Sequence, residues 1–292
     1  MKTKLTHLSI ILAGYIACIY SMQFTWSLLS DFSLVSKVFI CHVEATIFIY
    51  ILSVLFNNSS WYDAFWSVIP VALTIMCWSD ISAAGDVQRA FLMQACLLFW
   101  AIRLTYNWIR SWEGFSHEDW RYVMMKGKTE NKFQYFMVDF GSIHLIPTIC
   151  VYMALLPMIY ALAYPGDVLN LLDAVATLLA VIDVIIQIIS DQQMYNFRKN
   201  ISEPQTMQSG LWFYSRHPNY FGEILFWFSL FVFAIAADIG FAWLLIGCVI
   251  MYALIAIASV AMMDKKSLLR RPDFKEYMDS TPPIFINFFK KG

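Results

Sequence analysis

Gly210-Leu211-Trp212-Phe213-Tyr214-Ser215-Arg216-His217-Pro218-Asn219-Tyr220-Phe221-Gly222-Glu223 runs straight into Ile224-Leu225-Phe226-Trp227-Phe228-Ser229-Leu230-Phe231-Val232-Phe233-Ala234-Ile235-Ala236-Ala237. The first half mixes Arg, His, Asn and Glu with aromatic rings; the second carries no charge. Ionisable side chains beside an apolar run of membrane length are costly unless they hold something. The junction therefore reads as a membrane boundary and as a candidate site. Pro218 suits the first turn of the helix that follows, where a missing N–H costs nothing.

Outward from this junction the same alternation recurs. The 292 residues are 60% hydrophobic and 14% charged, against about 45–50% and 25% in a soluble domain. Eight apolar stretches approach the ~20 residues of a membrane helix: roughly 7–29, 38–56, 64–80, 89–109, 143–163, 170–190, 220–237 and 240–262, of which the third and seventh are short. The expected fold is all-α, a polytopic bundle of about eight (seven to eight) transmembrane helices in a single domain over 1–292. The first stretch follows Lys2 and Lys4 but is too long for a signal peptide and lacks a small-residue cleavage site, so it is kept as a helix.

Eight spans place 17 of the 20 Lys and Arg on one face, with only Lys37 and Arg89 opposite and Arg103 inside a span. By the positive-inside rule that face, with both termini, is cytoplasmic. The sequons at Asn57, Asn58 and Asn200 fall there, which argues against glycosylation. A net charge of −1 argues against nucleic acid. The six cysteines lie in apolar stretches with no metal-ligand spacing and read as small core residues, so no metal is expected.

Polar residues at the cytoplasmic ends of the spans are the site candidates. Arg103 lies in Trp100-Ala101-Ile102-Arg103-Leu104, where it either serves a site or snorkels to the interface. Gln187, Asp191, Tyr195 and Arg198 recur at helical spacing and form one polar stripe, a site wall or a helix–helix contact. Asn219 and Glu223 share a face at the start of the seventh span. Amides exposed there, with Arg216 and His217 beside them, suit an anion, although a helix cap with interfacial aromatics would use the same residues. The cluster His117-Glu118-Asp119-Trp120-Arg121-Tyr122 reads by itself as a solvated loop.

The block from Gly210 to Glu223 resembles the signature of the DUF1295 membrane proteins, a branch of the steroid 5-alpha-reductase superfamily. Trp100 to Leu104 followed by Glu118 to Tyr122, the Asp191 to Arg198 stripe, and the tail Arg270-Arg271-Pro272-Asp273-Phe274-Lys275-Glu276-Tyr277 agree with it. The likeness covers roughly 58–289 and leaves 1–36 as an extra N-terminal helix. It implies reduction of a C=C bond conjugated to a carbonyl, in a lipid or steroid-like substrate, by NADPH bound from the cytoplasm, a 3-oxo-5-alpha-steroid 4-dehydrogenase-like activity. It matches Asn219, Glu223, Asp191, Arg198 and Arg103 to cofactor contacts and Asp63 to the acid at the substrate ketone. Gln187 stands where the steroid reductases carry an asparagine. Their catalytic tyrosine falls on Trp100 by spacing, so Tyr106, Tyr122 or Tyr220 takes its place or the chemistry differs.

Hydride addition to an enone drives negative charge onto the carbonyl oxygen, which needs a donor. Asp63 fills that role only when protonated, a state that burial favours. No GxGxxG stretch is present, so dinucleotide binding would be of a non-Rossmann kind. The Arg-His-Pro motif also resembles membrane methyltransferases of the isoprenylcysteine and phospholipid type, which use S-adenosylmethionine. A non-catalytic lipid-binding subunit is the third reading. Arg198 and Arg103 favour a phosphate-bearing dinucleotide over the cationic S-adenosylmethionine.

Overall fold

A computed structural model describes residues 2–80, 86–164, 166–201, 203–271, 273–287 and 289–290. Ser202 of one sequon, Pro272 of the tail motif and Lys291 of the basic tail lie outside the described residues. The described chain is helical, without strands. α1 (Lys2–Leu28) and α2 (Leu34–Leu55) form an N-terminal pair, and the short α3 (Phe65–Cys77) precedes α4 (Val87–Ser111). A loop bearing α5 (Trp120–Lys126) leads to α6 (Lys132–Phe136), a π-helical run at Met137–Leu145 and α7 (Ile146–Ala163). α8 (Leu171–Asn200), α9 (Leu211–Tyr214) and α10 (Pro218–Ala237) follow. The last span is α11 (Leu245–Ala253), a second π-helical run at Leu254–Val260 and α12 (Ala261–Arg270), with α13 (Phe274–Ser280) in the tail.

Local sequence sets the ends. Asp86 accepts the Gln88 and Arg89 amides at 2.8 and 3.1 Å to start α4, and Asn170 with Asp173 forms a capping box at the start of α8. Pro218 occupies the first turn of α10, as its sequence position implies.

Seven helical spans among the described residues are long and apolar enough to cross a membrane; Phe65–Asp80 is shorter. It covers about 24 Å, less than the ~30 Å hydrocarbon core. Its far end nevertheless reaches the turn between α1 and α2, because Asp80 accepts Lys37 Nζ at 3.1 Å and Trp26 Nε1 at 2.9 Å. Its near end joins the opposite side of the bundle. There Lys4 Nζ donates to the Arg110 carbonyl and Lys266 Nζ lies 3.5 Å from the centre of the Trp120 ring. The start of α1, α12 and the 112–131 loop therefore share one end of the bundle.

Outward faces are apolar: Leu12, Tyr20 and Phe24 of α1 and Leu178 of α8 are all more than half exposed. Where lipid replaces water, helix association depends on close packing and buried polar contacts. At Gly222 of α10 a Cβ would lie 2.5 Å from Gln187 Cγ and 2.8 Å from the Asp183 carbonyl, so α8 and α10 are in near-backbone contact. The end away from the loop is pinned by Arg89. It pairs with Asp173 at 2.7 and 2.8 Å and donates to the carbonyls of Asp167, Val168 and Ala236.

Candidate active site

A cavity of about 580 Å³ opens among α3, α4, α7, α8, α10 and the last span, beneath α5. Both π-helical runs border it, the first through Ser142 and Ile143, the second through Leu254, Ile255, Ala258 and Ser259. Such runs are rare and are concentrated at functional sites.

One wall is made where the segment before α3 meets the loop before α5. Asn58 caps the turn at Ser59–Tyr62 through Ser60 N (2.9 Å), while its amide donates to the Phe115 and His117 carbonyls at 3.0 and 3.1 Å. Ser59 N donates to Glu118 at 2.7 Å, and Asp119 N donates to Ser60 Oγ at 3.0 Å. These contacts bring Tyr122 over Asp63, where the phenol donates to the carboxylate at 2.9 Å. Asp119 is taken by Arg121 through two guanidinium contacts of 2.9 Å. Part of Asp63 faces the cavity, but protein surrounds it. Loss of hydration pushes its carboxyl up to about 7, with the nearby Asp119 charge adding and Arg121, Tyr122 and Ser60 opposing.

A second wall is a buried network. Arg103 donates to Gln187 Oε1 and to Asp191 Oδ2, both at 2.5 Å, and lies 3.9 Å from Glu223. Glu223 accepts three indole N–H groups: Trp100 at 2.9 Å, Trp227 at 3.0 Å and Trp66 at 3.4 Å. Trp100, which by spacing stands where the steroid reductases of the expected resemblance carry a tyrosine, is fully buried and stacked on Phe226. Its role is to hold Glu223, outside the cavity lining. Deeper in the bundle, Asp183 is fully buried and neither carboxylate oxygen has a partner among the described residues.

The third region is cationic. Arg198, exposed at the end of α8, lines the cavity without a hydrogen bond or ion pair among the described residues. Burial holds the Arg271 guanidinium below its ordinary range; Asp273 opposes this and the positive field of Arg198 adds to it. The Asn219 side-chain oxygen is buried and unpartnered.

Of the residues singled out in the sequence, Asp63, Arg103, Asp191, Arg198, Asn219, Tyr220 and Glu223 line one cavity, with Gln187 directly behind. Tyr106 is 63% exposed and stands outside it. Tyr195 also lies outside the lining, beneath the Arg110 guanidinium. Arg216 donates to Asp264 at 2.8 Å and to the Met278 and Thr281 carbonyls, and His217 contacts Asp264 at 3.0 Å. Instead of flanking an anion site at the start of α10, this pair fastens the tail to α12. Tyr220 contacts Met263 Sδ at 3.3 Å. The loop cluster read as solvated supplies Asp119, Trp120, Arg121 and Tyr122 to the cavity. Its usable signal was the polar triplet Asn58-Ser59-Ser60, which has the groups to bind a second loop.

The family described as "Protein of unknown function (DUF1295)" matches residues 49–281, and the chain belongs to that family. An uncharacterized protein of Schizosaccharomyces pombe is 23% identical over 258 residues, which cover 80% of this chain and 74% of that protein. No solved structure matches the chain. α1 precedes the matched region entirely.

Proposed function

We propose that this member of the DUF1295 family is a membrane-embedded oxidoreductase, related in chemistry to the steroid 5-alpha-reductases, that reduces a C=C bond conjugated to a carbonyl in a lipid or steroid-like substrate with NADPH. The observation that carries this reading is one cavity whose lining holds a Tyr122–Asp63 pair, the unpaired cation Arg198 and the orphaned Asn219 oxygen. The donor set fits a phosphorylated dinucleotide. Arg198 would take phosphate, and Asn219 would accept from an amide. Asp119 pairs with Arg121, Asp191 and Glu223 share Arg103, and Arg198 balances the remaining charge, which leaves no net negative charge for a cationic cofactor such as S-adenosylmethionine.

When bound, NADPH supplies the hydride. The chain's part is to offer a donor to the substrate oxygen as negative charge develops there. Asp63, protonated near neutral pH, is that donor, and Tyr122 orients it. The Glu223–tryptophan network keeps the inner wall rigid and water-poor. Leu254, Ile255, Ile143 and Pro147 give the substrate an apolar surface. The cationic end of the cavity faces the cytoplasm in this reading, where the cofactor is found.

Thermal stabilisation of the detergent-purified protein tests it. NADPH should raise Tm more than NADH does, and Arg198→Ala should remove the rise. Stabilisation by S-adenosylmethionine alone overturns it in favour of a methyltransferase.

A further inference from the structure

α1 carries a stripe of residues that meets both segments of the Asp63 wall. His7 Nδ1 accepts the Phe115 backbone N–H at 3.2 Å. Gly114 beside it has φ +99°, and a Cβ there would sit 2.5 Å from His7 Nδ1. That turn needs glycine both for its backbone angle and for room to admit the imidazole. Two turns along α1, the Tyr15 phenol donates to the Trp61 carbonyl at 2.6 Å. Gly14 lets the Trp61 indole approach to where a Cβ would be 2.6 Å away.

The two contacts close on each other. The Phe115 ring stacks against Trp61, 5.4 Å between centroids and 27° between planes, so His7, Phe115, Trp61 and Tyr15 form a ring of contacts. From it the chain runs directly into Asp63 on one side and Glu118 to Tyr122 on the other. The 112–119 stretch is not helical and 59–62 is a single 3-10 turn, and a backbone of this kind inside a membrane protein holds its place only through partners.

We infer that α1 is a positioning element of the cavity: through His7 and Tyr15 it fixes the 112–119 turn against the 58–63 turn and so sets the Tyr122–Asp63 hydrogen bond. This assignment concerns the wall itself and holds whichever cofactor the cavity takes.

Hydrogen–deuterium exchange of the full-length protein in lipid nanodiscs tests it. His7→Leu keeps apolar bulk and removes the acceptor, whereas His7→Gln keeps an acceptor. Peptides covering 112–126 should exchange at least tenfold faster in His7→Leu, with α8 and α10 unchanged and His7→Gln restored to the parent rate. The Asp63 carboxyl band, followed by infrared titration, should move from about 7 toward the ordinary carboxylate range as water reaches the loosened wall. Unchanged exchange over 112–126 would reduce α1 to an added span. Uniform acceleration in every helix would make His7 a general stabiliser, and either result overturns the inference. Should His7→Leu fail to fold, Tyr15→Phe is read at 58–66 with the same criteria.

Discussion

The Tyr122 phenol, on α5, donates at 2.9 Å to the carboxylate of Asp63, which lies 59 positions away in the segment before α3. Burial among protein atoms and the Asp119 charge outweigh that hydrogen bond, which favours the ionised form, and the carboxyl keeps its proton to about pH 7. In the proposed reaction it is the donor that an enone oxygen needs.

That proton links stability to pH. The folded-state pKa lies above the ordinary value of an unfolded Asp, so the contribution is fully present below about pH 4 and is lost as pH rises through about 7. The loss is on the order of 4 kcal/mol. Denaturation midpoints measured from pH 5 to 8.5 should fall for the parent protein and stay level for Asp63→Asn. A parallel fall in the variant would place the titrating group elsewhere.

Glu223 gathers three indoles and lies near Arg103. Glu223→Ala strands those donors and leaves the guanidinium one carboxylate short, a change expected to cost about 3–5 kcal/mol. Glu223→Gln keeps an acceptor and should lose less than half as much. Intrinsic tryptophan fluorescence reports the same event, because Trp66, Trp100 and Trp227 all lose their shared partner in the alanine variant.

Asp183 is fully buried with no partner for either oxygen. An ion in that position is opposed by several kcal/mol of lost hydration. Burial without a partner favours the neutral acid, so Asp183→Asn, which preserves both shape and neutrality, should leave Tm nearly unchanged. A large fall instead would mean that the carboxylate is paired in the working protein by something that asparagine cannot replace.

Arg89 uses its guanidinium on Asp173 and three carbonyls. Lysine offers neither the planar fork nor the number of donors. Arg89→Lys should therefore destabilise nearly as much as Arg89→Met, by about 3 kcal/mol or more, and both should aggregate in size-exclusion profiles. Full recovery by lysine would reduce the site to a simple ion pair.

Much of this molecule is legible from its residue order, for reasons that particular positions make plain. Apolar runs of membrane length had to be helices, because a backbone in hydrocarbon must satisfy its own hydrogen bonds. Pro218 at the head of α10 and the helical spacing of Gln187 and Asp191 are properties of single segments, and single segments carry their own periodicity. The short third stretch, Phe65–Asp80, was also visible as such, since length is read directly from composition.

What only the tertiary structure decided is which polar groups remain free. Arg216 and His217 stand beside Asn219 in the chain, yet Asp264, 47 positions beyond His217, takes both of them. Tyr106 shares α4 with Arg103 but faces outward, while Tyr122, in a loop that reads as solvated, reaches Asp63. Pairing is a matter of distance in space, and a charge that a remote residue neutralises looks the same in sequence as one left for a ligand. Residue order placed the candidates at one end of the bundle; the contacts of Asp264, Glu223 and His7 determined which of them structure consumes and which, Asp63 and Arg198 foremost, still face the cavity.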